Sequence, residues 1–203
     1  MTAELEPHPH HMVMFATVRA PASAIASANF STRSLAIFSI MSEAGKSVRF
    51  NFDQCIFPYG HAAADIIDGL AATIPRGATV MAAIDEAHMD QAQRHTGGEH
   101  AQSSILDLLA SVRPDLIVMS LNGSSADLDQ VAAAYSLPRA RPDASVEMRV
   151  HRLPVEVQCL WLMYVWAYCD GNERKWLIAG WLAWRALRME RPIGSISMNG
   201  GDA

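Results

Sequence analysis

The sequence predicts a single α/β domain in which helices cover a mixed, five-stranded sheet. The chain has 203 residues, half of them hydrophobic, which is enough for one substantial core and too little for a second one to be expected. Three strand-like segments come first. Strand-like and helix-like segments then alternate until two long apolar helices end the pattern, and this order is typical of a mixed sheet covered by helices.

The first three segments predict an antiparallel meander. Residues 12–18 and 34–42 are rich in β-branched and large apolar residues with polar flanks. Residues 43–45 form a turn, and in residues 46–52 apolar and polar residues alternate. The second and third strands should therefore form an antiparallel hairpin. A loop that includes residues 58–60 is expected to follow.

Helices and strands alternate in the middle of the chain. Apolar residues at helical spacing predict a helix over residues 61–74, which Pro75 and Gly77 end. The short apolar run over residues 78–84 is typical of a buried central strand. The remaining predicted elements are helices over 85–94 and 103–112, a strand over 115–121 and a helix over 125–135. A doubly wound nucleotide-binding fold is disfavoured, because it would begin strand-helix-strand with a glycine-rich first turn.

The last part of the chain predicts two buried helices. A proline-containing loop over residues 138–154 leads to the apolar segments 155–169 and 176–187. Both are shorter than the roughly 20 residues that a membrane-spanning helix needs, so no membrane partner is expected. All five tryptophans lie between residues 161 and 184. The wide apolar surface of the last helix predicts packing on two sides, against the sheet and against a partner helix, either in the core or in a homodimer. Alternatively, the tryptophans interleaved with arginines could stack on the bases of a single strand.

The domain is expected to span residues 12–191, between disordered tails over residues 1–11 and 192–203. The first tail lacks the pattern of a secretory signal. The three cysteines lack the spacing of a zinc or redox motif. We therefore expect a cytoplasmic protein with reduced thiols.

Charge is distributed unevenly along the chain. The formal net charge is -5, yet residues 139–191 contain nine basic and six acidic residues, against seven and fourteen in residues 1–138. Phosphate binding is driven by clustered Lys and Arg. A nucleic-acid interface is therefore expected only in the C-terminal third, with Arg174, Lys175 and Arg185 as the candidate contacts.

Within this order of elements, three segments resemble the DnaQ-like, DEDD-type 3′→5′ exonucleases of the ribonuclease-H-like superfamily. Residues 79–90 resemble that family's fourth strand and second motif. Residues 125–138 resemble a helix with its proline-containing exit, and residues 168–177 resemble the third motif of the tyrosine-containing subtype. The similarity covers about residues 12–191. It implies a ribonuclease-H-like mixed five-stranded sheet with two long C-terminal helices.

The resemblance also implies a site in which four carboxylates hold two divalent metal ions, Mg²⁺ or Mn²⁺. Ala16 and Val18 occupy the places of the first-strand Asp and Glu, and Asn172 occupies the place of the third-motif Asp. Asp90 matches the second motif. Because hard cations need oxygen ligands, we expect a degenerate site without a cofactor. The chain would then be an inactive exonuclease-like domain that binds single-stranded nucleic acid or protein.

Two other interpretations remain open at this point. In the first, displaced ligands keep a metal-dependent 3′→5′ exonuclease active, with Asp90, Asp170 and Glu173 as catalytic residues. Glu86 and Asp90 lie one helical turn apart and could hold a metal ion, although a solvated helix face explains them as well. In the second, the chain is a structural or assembly protein without any role in nucleic-acid binding.

Overall fold

The computed structural model describes seven stretches of the chain, residues 11–21, 30–43, 47–61, 63–82, 105–119, 125–139 and 144–189. Within these stretches lie five strands and five helices. In chain order they are β1 (His11–Pro21), β2 (Phe30–Glu43), β3 (Ser47–His61), α1 (Ala63–Thr73), β4 (Thr79–Ala82), α2 (Ile105–Val112), β5 (Ile117–Val118), α3 (Ser125–Ala134), α4 (Val146–Tyr168) and α5 (Gly171–Met189). None of these helices is long and apolar enough to cross a membrane.

The five strands form one mixed sheet in the order β3-β2-β1-β4-β5. β1 pairs with β2 and β2 with β3 in antiparallel fashion, whereas β4 is parallel to β1 and β5 is parallel to β4. Antiparallel strands can be joined by short turns, while parallel ones need a crossover connection. The predicted α/β class, the initial meander, the five-stranded mixed sheet and the two C-terminal helices are all confirmed.

β1 is the central strand, and over residues 12–18 both of its faces contribute to the core. Alternate residues of a strand point to opposite faces of the sheet. Val13 and Phe15 pack in one apolar cluster with Ile67 of α1 and Leu109 of α2. The opposite face of β1 packs in a second cluster with α4 and α5, and consists of Met12, Met14, Ala16 and Val18. The sheet therefore lies between two helical layers.

α5 packs against the sheet along two adjoining faces. Leu177 and Trp181 are fully buried. Gly180 lies so close to β3 that a Cβ added there would be 2.5 Å from Cγ1 of Val48, and the Trp184 ring contacts two aromatic rings of the sheet. The predicted packing of this helix against the sheet is confirmed. α5 also packs on α4, where the Trp181 ring lies beside that of Trp161, while its packing in a homodimer stays a prediction.

The predicted loop at residues 58–60 is wrong, because β3 continues to His61. Ser34 is paired with Ile56 but Thr32 with His61, so β3 carries extra residues in a bulge at this point. Among the described strands, β3 also lies at an edge of the sheet, with β2 as its one neighbour. A proline is tolerated on an edge strand and at a bulge, where its missing N–H breaks no ladder hydrogen bond.

The predicted loop over residues 138–154 is wrong in its second half, because α4 begins at Val146. Ser145 precedes the helix, and its hydroxyl accepts a hydrogen bond of 3.2 Å from the backbone N–H of Met148. This is the usual contact of an N-cap serine with the first turn of a helix. The cap signal is present in the sequence, but the prolines on both sides of it pointed to a loop.

Pro154 lies inside α4 and is accommodated by a side chain of the sheet. A proline has no N–H to donate to the carbonyl four residues earlier, which here is that of Val150. Nε2 of Gln54, on β3, donates to the Val150 carbonyl at 2.8 Å. Gln54 thus replaces the missing helix hydrogen bond. Its position is itself fixed by a contact of 3.1 Å with Oγ of Ser34.

β5 is much shorter than the strand predicted over residues 115–121, since its pairing with β4 involves only Ile117–Val118. Asp115 lies in the preceding turn instead. Its carboxylate accepts two hydrogen bonds from the Arg113 guanidinium, at 2.7 and 2.8 Å, and one of 3.2 Å from the N–H of Gly77. These contacts fix the turn before β5 against the turn before β4.

Arg113 also holds the C-terminal end of α1. Its guanidinium donates to the backbone carbonyls of Ala71, Ile74 and Pro75. The last carbonyls of a helix have no partner within the helix, and a basic side chain can satisfy them. One residue that follows α2 therefore links α1, α2 and the turn before β4.

Other predicted elements are confirmed where the structure describes them. The helices predicted over 61–74 and 125–135 are α1 and α3, the strand over 78–84 contains β4, and the helix over 103–112 contains α2. The helix over 85–94 lies outside the described residues, as do residues 1–10 and 192–203 of the predicted tails. His11, assigned to the first tail, is the first residue of β1.

Candidate nucleic-acid interface

The two first-strand positions matched to catalytic acids lie in the apolar core. Ala16 and Val18 are each 2% exposed. Both belong to the cluster that β1 forms with α4 and α5, which also contains Cys169 and Leu177. A carboxylate in this environment would lose its hydration without gaining a charged partner. The packing around β1 therefore favours aliphatic residues at these two positions.

Asp170, Asn172 and Glu173 lie where α5 begins. Oδ1 of Asp170 accepts hydrogen bonds from the backbone N–H groups of Asn172, at 2.8 Å, and Glu173, at 2.9 Å. These are the contacts of an N-cap residue, which satisfy two of the helix's unpaired N–H groups. Capping α5 thus explains Asp170 without catalysis. Asn172 is exposed in the first turn.

Glu173 is partly buried next to Cys169. Burial, and secondarily repulsion by Asp170, raises the pKa of the Glu173 carboxyl above its usual value. Burial also raises the pKa of the Cys169 thiol to about 12, with a further contribution from the negative charge of Glu173. The thiol hydrogen-bonds the carboxylate. This pairing stabilises a protonated thiol, which is a poor metal ligand because the thiolate is the ligating form.

The described residues do not fit a pair of divalent metal ions. Among them, no three His, Cys, Asp or Glu side chains lie close enough together to hold a metal ion. One oxygen of Asp170 already binds the start of α5. The predicted candidates Glu86 and Asp90 lie outside the described residues. The arrangement of the described acids is therefore that of capping and packing groups.

Arg174 connects the C-terminal end of α4 to a tryptophan. Its Nη2 donates to the backbone carbonyls of Trp166, at 3.1 Å, and Cys169, at 2.9 Å. Its Cζ lies 4.4 Å from the centre of the Trp166 ring, within range of a cation–π interaction. The guanidinium of this candidate binding residue therefore has a structural role, and the side chain is partly buried.

Tyr135, directly after α3, joins Trp166 to a second candidate residue. Nε1 of Trp166 donates to the hydroxyl of Tyr135 at 2.9 Å. Nη1 of Arg185 donates to the Tyr135 carbonyl at 3.2 Å. The Tyr135 ring meets that of Trp181 edge-on, with centroids 5.5 Å apart. We call Tyr135, Trp166, Arg174, Trp181 and Arg185 the aromatic–arginine cluster.

All three arginines of α5 lie over tryptophan rings. Besides Arg174, Cζ of Arg185 is 5.6 Å from the centre of the Trp181 ring, and that of Arg188 is 5.0 Å from the centre of the Trp184 ring. Lys175 is exposed. With four basic residues and one acidic residue, α5 is the basic element of the described C-terminal region.

Part of the basic excess of the C-terminal third is neutralised. Arg139 binds the carboxylates of Glu156, at 2.9 Å, and Asp129, at 2.6 Å. Its guanidinium holds the segment after α3 against α4. The charge count over residues 139–191 therefore overstates the positive charge that is available at the surface. The arginines that lie over tryptophan rings are those of α5.

The sequence reveals only part of this cluster. Trp181 and Arg185, like Trp184 and Arg188, are four residues apart on one helix, and side chains at this spacing are neighbours. Trp166 and Arg174 lie on different helices, and Tyr135 follows a third one. Contacts between separate elements have no local sequence signal, so Tyr135 and Trp166 were not predicted as site residues.

Comparisons with protein-family models, curated proteins and solved structures found no match to this chain.

Proposed function

We propose that this chain is a ribonuclease-H-like domain without nuclease activity that binds single-stranded nucleic acid through α4 and α5. The arrangement of the sheet supports the first half of the proposal. An antiparallel meander is followed by parallel strands reached through helices, and a pair of long helices completes the fold. This is the arrangement that the resemblance to DEDD-type exonucleases implies.

The burial of Ala16 and Val18 supports the absence of catalysis. In the two-metal mechanism, carboxylates hold the ions that activate water and stabilise the leaving oxygen. These two positions provide no oxygen ligand, and they are covered by α4 and α5. Within the described stretches the acids nearest to the third motif bind backbone N–H groups and a thiol instead.

The observation that carries the binding half is the row of Arg–Trp pairs on α5. Strand-binding surfaces combine positive charge, which attracts phosphates, with aromatic rings, on which bases stack. α5 supplies the positive charges, and Trp166 of α4 supplies a half-exposed ring beside Arg174, whereas Trp181 is buried. Among the described elements, α5 has the largest excess of basic over acidic residues, which favours contact with a polyanion.

Salt dependence of binding tests this proposal. Fluorescence anisotropy should show that a labelled oligothymidine binds at low salt and dissociates as salt increases. Lys175→Gln and Arg188→Gln should each weaken binding and lower the slope of log K against log salt by about 0.7. Both residues are exposed. Arg76→Gln, an exposed arginine before β4, is the matched control and should change nothing. Absence of binding at low salt would refute the proposal.

A nuclease assay separates the proposal from the active-enzyme alternative. The full chain should leave an end-labelled single strand intact in the presence of Mg²⁺ or Mn²⁺, even at high protein concentration. Shortening of the strand that requires a divalent metal ion and disappears in Asp90→Ala would show an active exonuclease. Asp170→Ala is not a clean test of catalysis, because it also removes the cap of α5.

A second candidate function is self-association through the outer face of α5. Leu182 is 47% exposed and Leu187 is 67% exposed, and their exposed neighbours on α5 are three alanines and Arg188. An apolar stripe on the side away from the sheet supports the predicted homodimer. Sedimentation should detect a dimer in the unmodified chain and a monomer in Leu182→Glu and Leu187→Glu. A monomer in all three would exclude it.

A further inference from the structure

Trp166 differs from the other tryptophans of α4 and α5 in its exposure. Half of its surface is exposed, whereas Trp161 and Trp181 are fully buried. A large aromatic ring at the surface has no role in the described core. An indole in this position is available for contact with a ligand, and aromatic rings dominate the energetics of many binding surfaces.

The exposed ring of Trp166 is held in a fixed orientation. The guanidinium of Arg174 covers one face of it, at 4.4 Å from the ring centre. At its edge, Nε1 donates to the hydroxyl of Tyr135 at 2.9 Å. Because two separate elements constrain the ring, little side-chain entropy remains to be lost when a ligand binds. Half of the residue remains exposed although Arg174 lies over one face of its ring.

The charges around Trp166 define the chemistry of the ligand. Arg174 and Lys175 are adjacent in α5, and Arg185 reaches the carbonyl of Tyr135, whose hydroxyl binds Trp166. A cationic ligand is disfavoured beside these groups. A ligand that combines a flat, uncharged ring with a negative charge beside it is favoured, because the indole can stack on the ring and the cations attract the charge. A nucleotide with an unpaired base has this chemistry, whereas the bases of a duplex are already stacked on one another.

We propose that the exposed face of Trp166 stacks on an unpaired base of a single strand whose phosphates contact Arg174 and Lys175. The inference rests on the proposed function and specifies its binding site. Arg174 covers the face of the indole opposite the base and places a positive charge beside the strand. Tyr135 is a positioning residue, because it acts on the ring and not on the strand.

The test compares two strands that differ only in their bases. Anisotropy at low salt measures binding of labelled oligothymidine and of an abasic strand of equal length. The unmodified chain should bind oligothymidine at least about fivefold more tightly, as expected for base–aromatic stacking. Trp166→Leu should remove this preference while still binding the abasic strand. Trp166→Phe, which keeps an aromatic ring, should keep part of the preference.

Tyr168→Leu is the matched control. Tyr168 is an exposed aromatic residue of the same helix, two positions along and therefore on the other side of it. It stacks on Tyr164, with centroids 5.3 Å apart. This variant should keep the full preference for oligothymidine.

The outcomes separate this inference from the proposed function. If both strands bind equally, or if Trp166→Leu retains the preference, the stacking inference is wrong and the electrostatic binding proposal stands. If neither strand binds at low salt, both are wrong. Displacement of oligothymidine by an acidic, tyrosine-containing peptide as effectively as by unlabelled oligothymidine would overturn the inference in favour of a protein ligand.

Discussion

Gly180 and Gly69 are both helical glycines, but their surroundings differ. A Cβ on Gly180 would lie 2.5 Å from Val48, whereas a Cβ on Gly69 would have no atom within 4 Å. Alanine favours a helix over glycine by about 1 kcal/mol. Gly69→Ala should therefore raise the free energy of unfolding by about 0.5–1 kcal/mol. Gly180→Ala should lower it by about 1–3 kcal/mol, because overpacking outweighs the helix preference.

Urea denaturation measures both variants. The pair forms its own control, since the substitution and the helix preference are the same. An equal increase in both would contradict the close approach of α5 to β3.

The three cysteines should react at different rates with a thiol reagent. Cys159 and Cys169 are buried, and burial raises the pKa of each thiol to about 12. The thiolate is the reactive form, so neither should react in the folded chain near neutral pH. Cys55 is exposed on β3. Native protein should therefore release one equivalent of aromatic thiolate from an aromatic disulfide reagent. Denatured protein should release three equivalents. Cys55→Ser should abolish the native reaction.

The interior of α4 depends on a residue of β3. Gln54→Met keeps the length of the side chain but leaves the Val150 carbonyl without its donor, which should reduce stability by about 1–3 kcal/mol. Pro154→Ala restores an N–H four residues after Val150. In the Pro154→Ala background, Gln54→Met should therefore be less destabilising. A double-mutant cycle in urea measures this coupling, and equal effects in both backgrounds would contradict it.

The turns before β4 and β5 depend on the charge of Asp115. The Arg113 guanidinium, and secondarily the Gly77 N–H, holds the pKa of the Asp115 carboxyl well below its usual range. A lowered pKa in the folded state adds stability above the unfolded-state pKa of about 4. This stability is lost as pH falls through the acidic range towards the folded-state pKa.

Asp115→Asn should accordingly lower stability at pH 7 and reduce the difference in stability between pH 7 and pH 3. Denaturation at the two pH values measures the effect. In an Arg113→Gln background, Asp115→Asn should have a much smaller influence on this pH dependence. An unchanged influence would exclude Arg113 as the cause.

At the scale of the whole molecule, the sequence predicted the order of elements better than their ends. Alternating or helical spacing of apolar residues identified β1, α1 and α5, because burial on defined faces imposes that spacing. Pro58 and Pro154 were interpreted as loop residues, yet an edge bulge and the side chain of Gln54 accommodate them in regular structure. Such compensation comes from distant residues and has no local signal.

The candidate site likewise has some features that the sequence predicts and others that only the structure reveals. The basic character of α5 and the aliphatic side chains at Ala16 and Val18 are visible in the sequence. The capping role of Asp170 and the contacts of Trp166 with Arg174 and Tyr135 depend on how three helices meet. Composition and motifs therefore predicted where the positive charge lies, while the structure identified the Trp166 ring beside it.

The position of β1 between two helical layers has a consequence for synthesis of the chain. The apolar face that contains Ala16 and Val18 is covered by α4 and α5, which are made roughly 130 residues later, on the order of ten seconds at typical ribosomal rates. During that interval the face lacks the cover that α4 and α5 provide. We expect nascent chains stalled before α4 to bind hydrophobic dyes and chaperones, and chains released after α5 to bind neither. The helices proposed to bind a nucleic-acid strand would therefore also bury the apolar face of the sheet and so protect the new chain from aggregation.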